Sequence, residues 1–233
     1  MNDLPDGTLP HPGARATGVV WLLYFVIGIL GTILMKGIVV PADAAATATN
    51  LLARATAYRA GSALDLLANC LYIVLTVGLY GVFRRVDRNV ALLAMVFSLA
   101  GCVTQIFGAL LRSAPFVLLV DNQPFSAFSA QQLAAAALLS LRMFNRVFDI
   151  SFVLFAFFEM VTGYLILRSP FLPRWLGWLW ILAGIGAATF LWPPLATTIF
   201  PGIIALNSCE LILAVWLVVK GPGIDRWREQ RSG

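Results

Sequence analysis

Histidine is nearly missing from this chain. The sole one, His11, stands among the prolines and glycines of the first fourteen residues, so no Ser–His or Cys–His pair can form in the apolar segments. Nor does any histidine cluster offer a metal or haem site. Cysteine is sparse and odd in number: Cys70, Cys102 and Cys209 lie within apolar runs and lack metal-ligand spacing. They read as buried thiols acting as small hydrophobes. No glycine-rich phosphate loop follows a strand. These absences point away from an enzyme and from any cofactor or metal, and leave open only the acid–base chemistry of carboxylates.

Charge is scarce as well. Charged residues make up 12% of the chain, about half of the ~25% usual in a globular domain. Hydrophobic residues make up 60%, and a length of 233 allows one compact bundle without a sizeable soluble domain. What the chain does have is six apolar runs, at 16–35, 61–83, 90–111, 147–167, 175–192 and 203–219. Each approaches the ~20 residues that cross a ~30 Å hydrocarbon core. The expected fold is therefore all-α: a polytopic six-helix transmembrane bundle over residues 15–221 with short extracytoplasmic helices. A flexible tail (1–14) precedes it and a basic tail (222–233) follows.

The net charge of +5 is a matter of topology. Ten of the sixteen Lys and Arg residues fall on one side: Arg15, Arg84, Arg85, Arg88, Arg168, Arg174, Lys220, Arg226, Arg228 and Arg231. Lys36, Arg54, Arg59, Arg112, Arg142 and Arg146 fall on the other. The positive-inside rule makes the first set, with its short dense loops, cytoplasmic. Both termini are then inside, and nucleic acid is not an expected partner. Val19–Leu34 is long for a signal-peptide core and Lys36 interrupts before any cleavage site, so this run is read as the first crossing.

Connections on the outer side are the longer ones. Asp43 suits a helix N-cap, and the alanines behind it favour a short helix over 43–58. The segment 121–142 opens on the turn-rich Asp121-Asn-Gln-Pro124, then reads as a helix capped by Ser129 that merges towards the fourth crossing. Trp192 to Gly202 reads as a rigid, uncharged, aromatic connection. Trp175, Trp178, Trp180 and Trp192 read as an interfacial belt.

Ionisable and amide residues inside the apolar runs are the best functional clue, since a charge at mid-bilayer costs at least ~2.5–3.5 kcal/mol. At helical spacing, Asp65, Asn69, Tyr72 and Thr76 share one face of the second crossing. Ser98, Gly101, Gln105, Gly108 and Arg112 form a second stripe, and Arg142, Asn145, Arg146 and Asp149 a third. Asn207 and Glu210 stand three apart on the last crossing. Asp65, Asn69, Gln105, Arg112, Asn145, Arg146, Asp149, Asn207 and Glu210 are thus candidates for a ligand site or buried polar network in the outer half. Glu159 lies deeper with no basic residue at its depth, and is a candidate proton site or a neutral, hydrogen-bonded carboxyl.

Two longer motifs carry a resemblance. Val40-Pro-Ala-Asp-Ala-Ala-Ala-Thr-Ala-Thr-Asn-Leu-Leu-Ala and Gly163-Tyr-Leu-Ile-Leu-Arg-Ser-Pro-Phe-Leu-Pro-Arg-Trp-Leu-Gly, the latter followed by Leu182-Ala-Gly-Ile-Gly, resemble a bacterial family of membrane proteins, domain of unknown function 4386. Glu210 with its trailing Leu-Ile-Leu-Ala-Val-Trp looks like that family's closing helix. The likeness spans roughly 16–221 and implies a multi-spanning protein of the bacterial cytoplasmic membrane, with no activity attached. Asp65 and Glu210 look like family positions. Many similar members carry a histidine in the middle of the fourth crossing, where this chain has Phe157-Phe158-Glu159.

Three functions fit these residues. The first is binding or handling of a small polar or amphipathic ligand, lipids included, in an outer-half cavity faced by Arg112 and Glu210. The second is an ion- or proton-coupled transporter with Asp65, Asp149, Glu159 and Glu210 as a relay, whose small size would favour a homodimer. The third is a structural or regulatory subunit. Binding ranks first.

Overall fold

The structure, a computed structural model, describes residues 13–120, 125 and 127–230, without the side chains of 222–230. The expected tail before residue 13 and the turn at 121–124 lie outside the described residues. Seven helices follow one another: α1 (Ala14–Met35), α2 (Ala44–Ala53), α3 (Ala55–Phe83), α4 (Arg88–Leu119), α5 (Ala130–Arg168), α6 (Arg174–Ala188) and α7 (Pro193–Gln230). All but α2 are long and apolar enough to cross a membrane, α6 with the help of the 3-10 turn Thr189–Leu191. The chain is a multi-pass membrane protein with an all-α bundle fold.

Local chemistry sets the helix starts. Asp43 accepts from the Ala46 amide at 2.9 Å, and Asp87 accepts from Asn89 and Val90, both at 3.1 Å. Ser129 and Gln132 form a reciprocal capping box at the head of α5. The stretch from Pro193 to Gly202, expected as a connection, is already helix. Prolines suit the first helical positions, where the amide hydrogen has no partner anyway, and neighbouring helices make Pro201 tolerable inside a membrane helix. The helix also runs on to Gln230, through most of the segment expected as a basic tail.

Six crossings bring the start of α1 and the end of α7 to the same end of the bundle. That basic end carries Arg15, Arg84, Arg85, Arg88, Arg168, Arg174 and Lys220. The opposite end is capped. With 39 residues, α5 is about 58 Å long at ~1.5 Å per residue, well beyond the hydrocarbon thickness, so its first turns extend past the other helices and carry α2. A small core of Ile38, Leu51, Tyr58 and Leu141 holds this cap down. Arg54 closes the end of α1 by donating to the carbonyls of Lys36 at 2.9 Å and Leu34 at 3.1 Å, supplying partners to helix-end carbonyls that lack them.

Inside the bundle, α1 packs on α3 and α7, α4 on α5 and α3, and α6 on α5 and α7. Lipid gives these apolar faces no hydrophobic reason to associate, so close backbone approach and hydrogen bonds carry the packing. Gly163 and Gly177 show this. A Cβ on Gly163 would stand 2.7 Å from the Gly177 carbonyl oxygen, and one on Gly177 would stand 2.8 Å from that of Gly163. Valines, leucines and isoleucines such as Val26, Val103, Leu110 and Leu182 face outward to lipid.

Two expectations need correcting. Trp180 is fully buried against Trp21 and Phe158, whereas Trp175, Trp178 and Trp192 are exposed as a belt requires. Cys70 is exposed, while Cys102 and Cys209 are buried.

Candidate functional site

At their basic ends α1 and α7 are in contact. A Cβ on Gly18 would lie 2.7 Å from the Ala214 carbonyl oxygen, and the Trp21 indole N–H donates to Glu210 Oε2 at 3.3 Å. One to two turns further on the helices part. Gly28 has open space where its Cβ would be, with nothing within 4 Å, and it lines the same cavity as Ile203 of α7. Between the two helices lies a cavity of about 470 Å³, within the ~300–1,000 Å³ range of small-molecule sites.

Five helices build its wall. From α1 come Tyr24, Phe25, Gly28, Ile29, Thr32 and Ile33, and from α3 come Asp65, Ala68, Asn69 and Tyr72. Gln105 is the contribution of α4, while α5 presents Phe148, Phe152, Phe155 and Glu159. Phe200, Ile203, Ile204, Asn207 and Glu210 complete it from α7. Ile29, Ile33 and Ile204 are also more than half exposed on the outer surface. The cavity therefore opens sideways, between α1 and α7, towards the lipid.

An aromatic cluster closes the deep end. The rings of Tyr24 and Tyr72 are 4.9 Å apart, those of Tyr72 and Phe155 5.2 Å, and those of Phe158 and Trp180 5.9 Å, all edge to face. Edge-to-face rings fix one another's orientation, which aims the Tyr72 hydroxyl and the Trp21 indole at Glu210. Tyr72 donates to Glu210 Oε1 at 3.3 Å. Both are longer than the usual range for such bonds. Glu159 is 3% exposed, and its Oε2 has no hydrogen-bond partner.

The sequence candidates divide between the cavity and its surroundings. Asp65, Asn69, Gln105, Glu159, Asn207 and Glu210 line it. Arg112 stands behind the wall, donating to Asp65 Oδ2 at 3.0 Å and lying 4.0 Å above the Phe144 ring. Its charge reaches the cavity only through Asp65. Asn145 and Arg146 are exposed, and Arg146 pairs with Asp149 one turn along the same helix at 3.3 Å. None of these three lines the cavity. The amides are held in place: Asn69 donates to the Asp65 carbonyl at 3.0 Å, Asn207 to that of Ile203 at 2.9 Å, and Gln105 to Ser151 Oγ at 3.1 Å.

Sequence reasoning missed the aromatic half of the wall. Phe148, Phe152, Phe155 and Glu159 follow one another at i, i+4, i+7 and i+11, one face of α5. On α1, Tyr24, Gly28 and Thr32 make a similar stripe at intervals of four. Both stripes were visible as spacing. In helices that are apolar all round, however, nothing local tells a cavity face from a lipid face.

Among the described residues no group of three or more histidines, cysteines or acids is placed to hold a metal ion. Comparison with curated proteins and with solved structures finds no match for the chain. The chain belongs to the family described as Domain of unknown function (DUF4386), whose model matches residues 16–221 and so takes in every residue that lines the cavity.

Proposed function

We propose that this protein binds an amphipathic ligand that enters its cavity sideways from the lipid. The observation that carries this is the gap between α1 and α7, with apolar Ile29, Ile33 and Ile204 at the mouth and Asp65, Asn69, Asn207 and Glu210 within. A molecule crossing that mouth meets apolar surface first and hydrogen-bonding groups afterwards. Its polar end belongs inside and its apolar end in the membrane. A purely packing role for the polar residues would call for a filled interface, and the space beside Gly28 is not filled. We take the basic end to be cytoplasmic, because short arginine-rich loops are retained on that side. The mouth of the cavity then belongs to the outer leaflet of a bacterial cytoplasmic membrane, and its deep end reaches the middle of the bundle.

Gly28→Phe supplies the test. The new side chain extends into open space, so the bundle is expected to keep its thermal stability while the mouth is blocked. Native mass spectra of wild type released from nanodiscs are expected to show a bound small molecule or lipid that the variant lacks. An equal bound mass in both proteins, or none in either, would overturn the proposal.

A further inference from the structure

Two buried carboxyl groups of the cavity have no charged partner among the described residues, and we infer from this that the ligand's polar end is a cation: an amphipathic amine or quaternary ammonium held by Glu159 and Glu210. This rests on the cavity being a ligand site and adds the sign of the ligand's charge.

Three carboxyl groups line the cavity, and none of the residues that line it is Lys, Arg or His. Asp65 is matched by Arg112 behind it. Glu210 receives only two neutral donors, from Trp21 and Tyr72, and Glu159 Oε2 receives none. A carboxyl group kept from water either holds a proton or is ionised against a countercharge and hydrogen bonds; the protein supplies no countercharge at Glu159, and a bound cation would. An anionic or phosphate-bearing head would meet repulsion here, because the Arg112 guanidinium is already engaged by Asp65.

Ring chemistry favours an organic cation over an inorganic one. Tyr24, Tyr72 and Phe155 line the same deep end as the two glutamates, and aromatic faces attract ammonium groups when both are withdrawn from water. A small hydrated ion would instead need a closer set of oxygen ligands, and would have no use for the apolar mouth. The lateral opening lets an alkyl chain stay in lipid while the head reaches the acids.

The test uses the full chain in uncharged maltoside micelles and three probes with the same alkyl tail: dodecyltrimethylammonium, dodecanol and dodecanoate. In wild type the permanent cation is expected to bind about tenfold tighter than the alcohol, and dodecanoate weakest. The preference should fall to near unity in Glu159→Gln/Glu210→Gln. Phosphatidylcholine then sorts the source: displacement of the cation points to a choline-type lipid head, and failure to displace points to a single-chain amine. Equal binding of cation and alcohol, both blocked by Gly28→Phe, would overturn the charge assignment and leave the cavity standing. No binding of any probe would remove both. A folded double variant that keeps the full preference would overturn the role of the two glutamates, and the wild-type comparison decides the matter if that variant does not fold.

Discussion

Arg112 and Asp65 meet at 3.0 Å across α4 and α3, and the same guanidinium lies over the ring of Phe144 of α5, 4.0 Å from its centre. One side chain thus ties three helices together at the edge of the cavity. Lysine cannot reproduce a planar group that donates and stacks at once. Arg112→Lys is expected to cost about 1 kcal/mol in thermal unfolding in detergent, from the lost ring contact. Arg112→Ala should cost more. Asp65 opens onto the cavity, where its charge is partly screened, so a double-mutant cycle with Asp65→Ala should give a coupling of only about 1 kcal/mol.

Glu210 joins α7 to α1 through Trp21 and to α3 through Tyr72. Replacing it with leucine strands two buried donors, and each stranded group costs about 1–3 kcal/mol. Glu210→Gln keeps one acceptor and should be the milder change. Trp21→Phe and Tyr72→Phe should each lower stability by about 1 kcal/mol. Thermal unfolding of the four variants checks the order; a leucine variant as stable as wild type would contradict these contacts.

Glycines at two places in the bundle should respond in opposite ways. Gly163 and Gly177 each face the other's carbonyl oxygen, and backbone cannot move aside as a flexible side chain can. Leucine at either position should exceed the ~1–3 kcal/mol of ordinary overpacking and reduce the yield of monodisperse protein on size exclusion. Leucine at Gly28, which meets nothing, should elute and melt like wild type.

Sidedness is open to direct labelling. In a cysteine-free background, Ala45→Cys sits on the cap and Asn89→Cys in the first turn of α4, beside the arginines of the basic end. A membrane-impermeant maleimide added to intact cells is expected to modify the first, and the second only after lysis. The reverse pattern would invert the topology. Five of the six basic residues of the capped end have structural work there: Arg54 on the end of α1, Arg59 over the Phe116 ring, Arg112 on Asp65, Arg142 donating to the Pro41 carbonyl at 2.7 Å, and Arg146 on Asp149. They weigh less as topology signals than their number suggests.

Much of the architecture was legible because its causes are local. Six apolar runs become six crossings for want of any other way to satisfy a backbone in lipid. Asp43 and Ser129 start helices within three residues of themselves, so their caps are readable from sequence. The stripe from Ser98 through Gly101, Gln105 and Gly108 to Arg112 does face other helices, with Thr76, Phe155, Ser151, Phe144 and Asp65 as its neighbours. The stripe from Arg142 to Asp149 has the same spacing but lies on the outside. Spacing puts residues on one face of a helix; it does not say where that face points.

By itself, then, the sequence determined that this is a six-crossing membrane bundle with acids and amides buried in it, because length, hydropathy and capping act over a few residues. The tertiary structure decided which of those groups share a cavity and where it opens. That outcome depends on α1 and α7, whose contact between Trp21 and Glu210 spans 189 residues of chain. The two helices close at one end and part at the other only once the four crossings between them are packed.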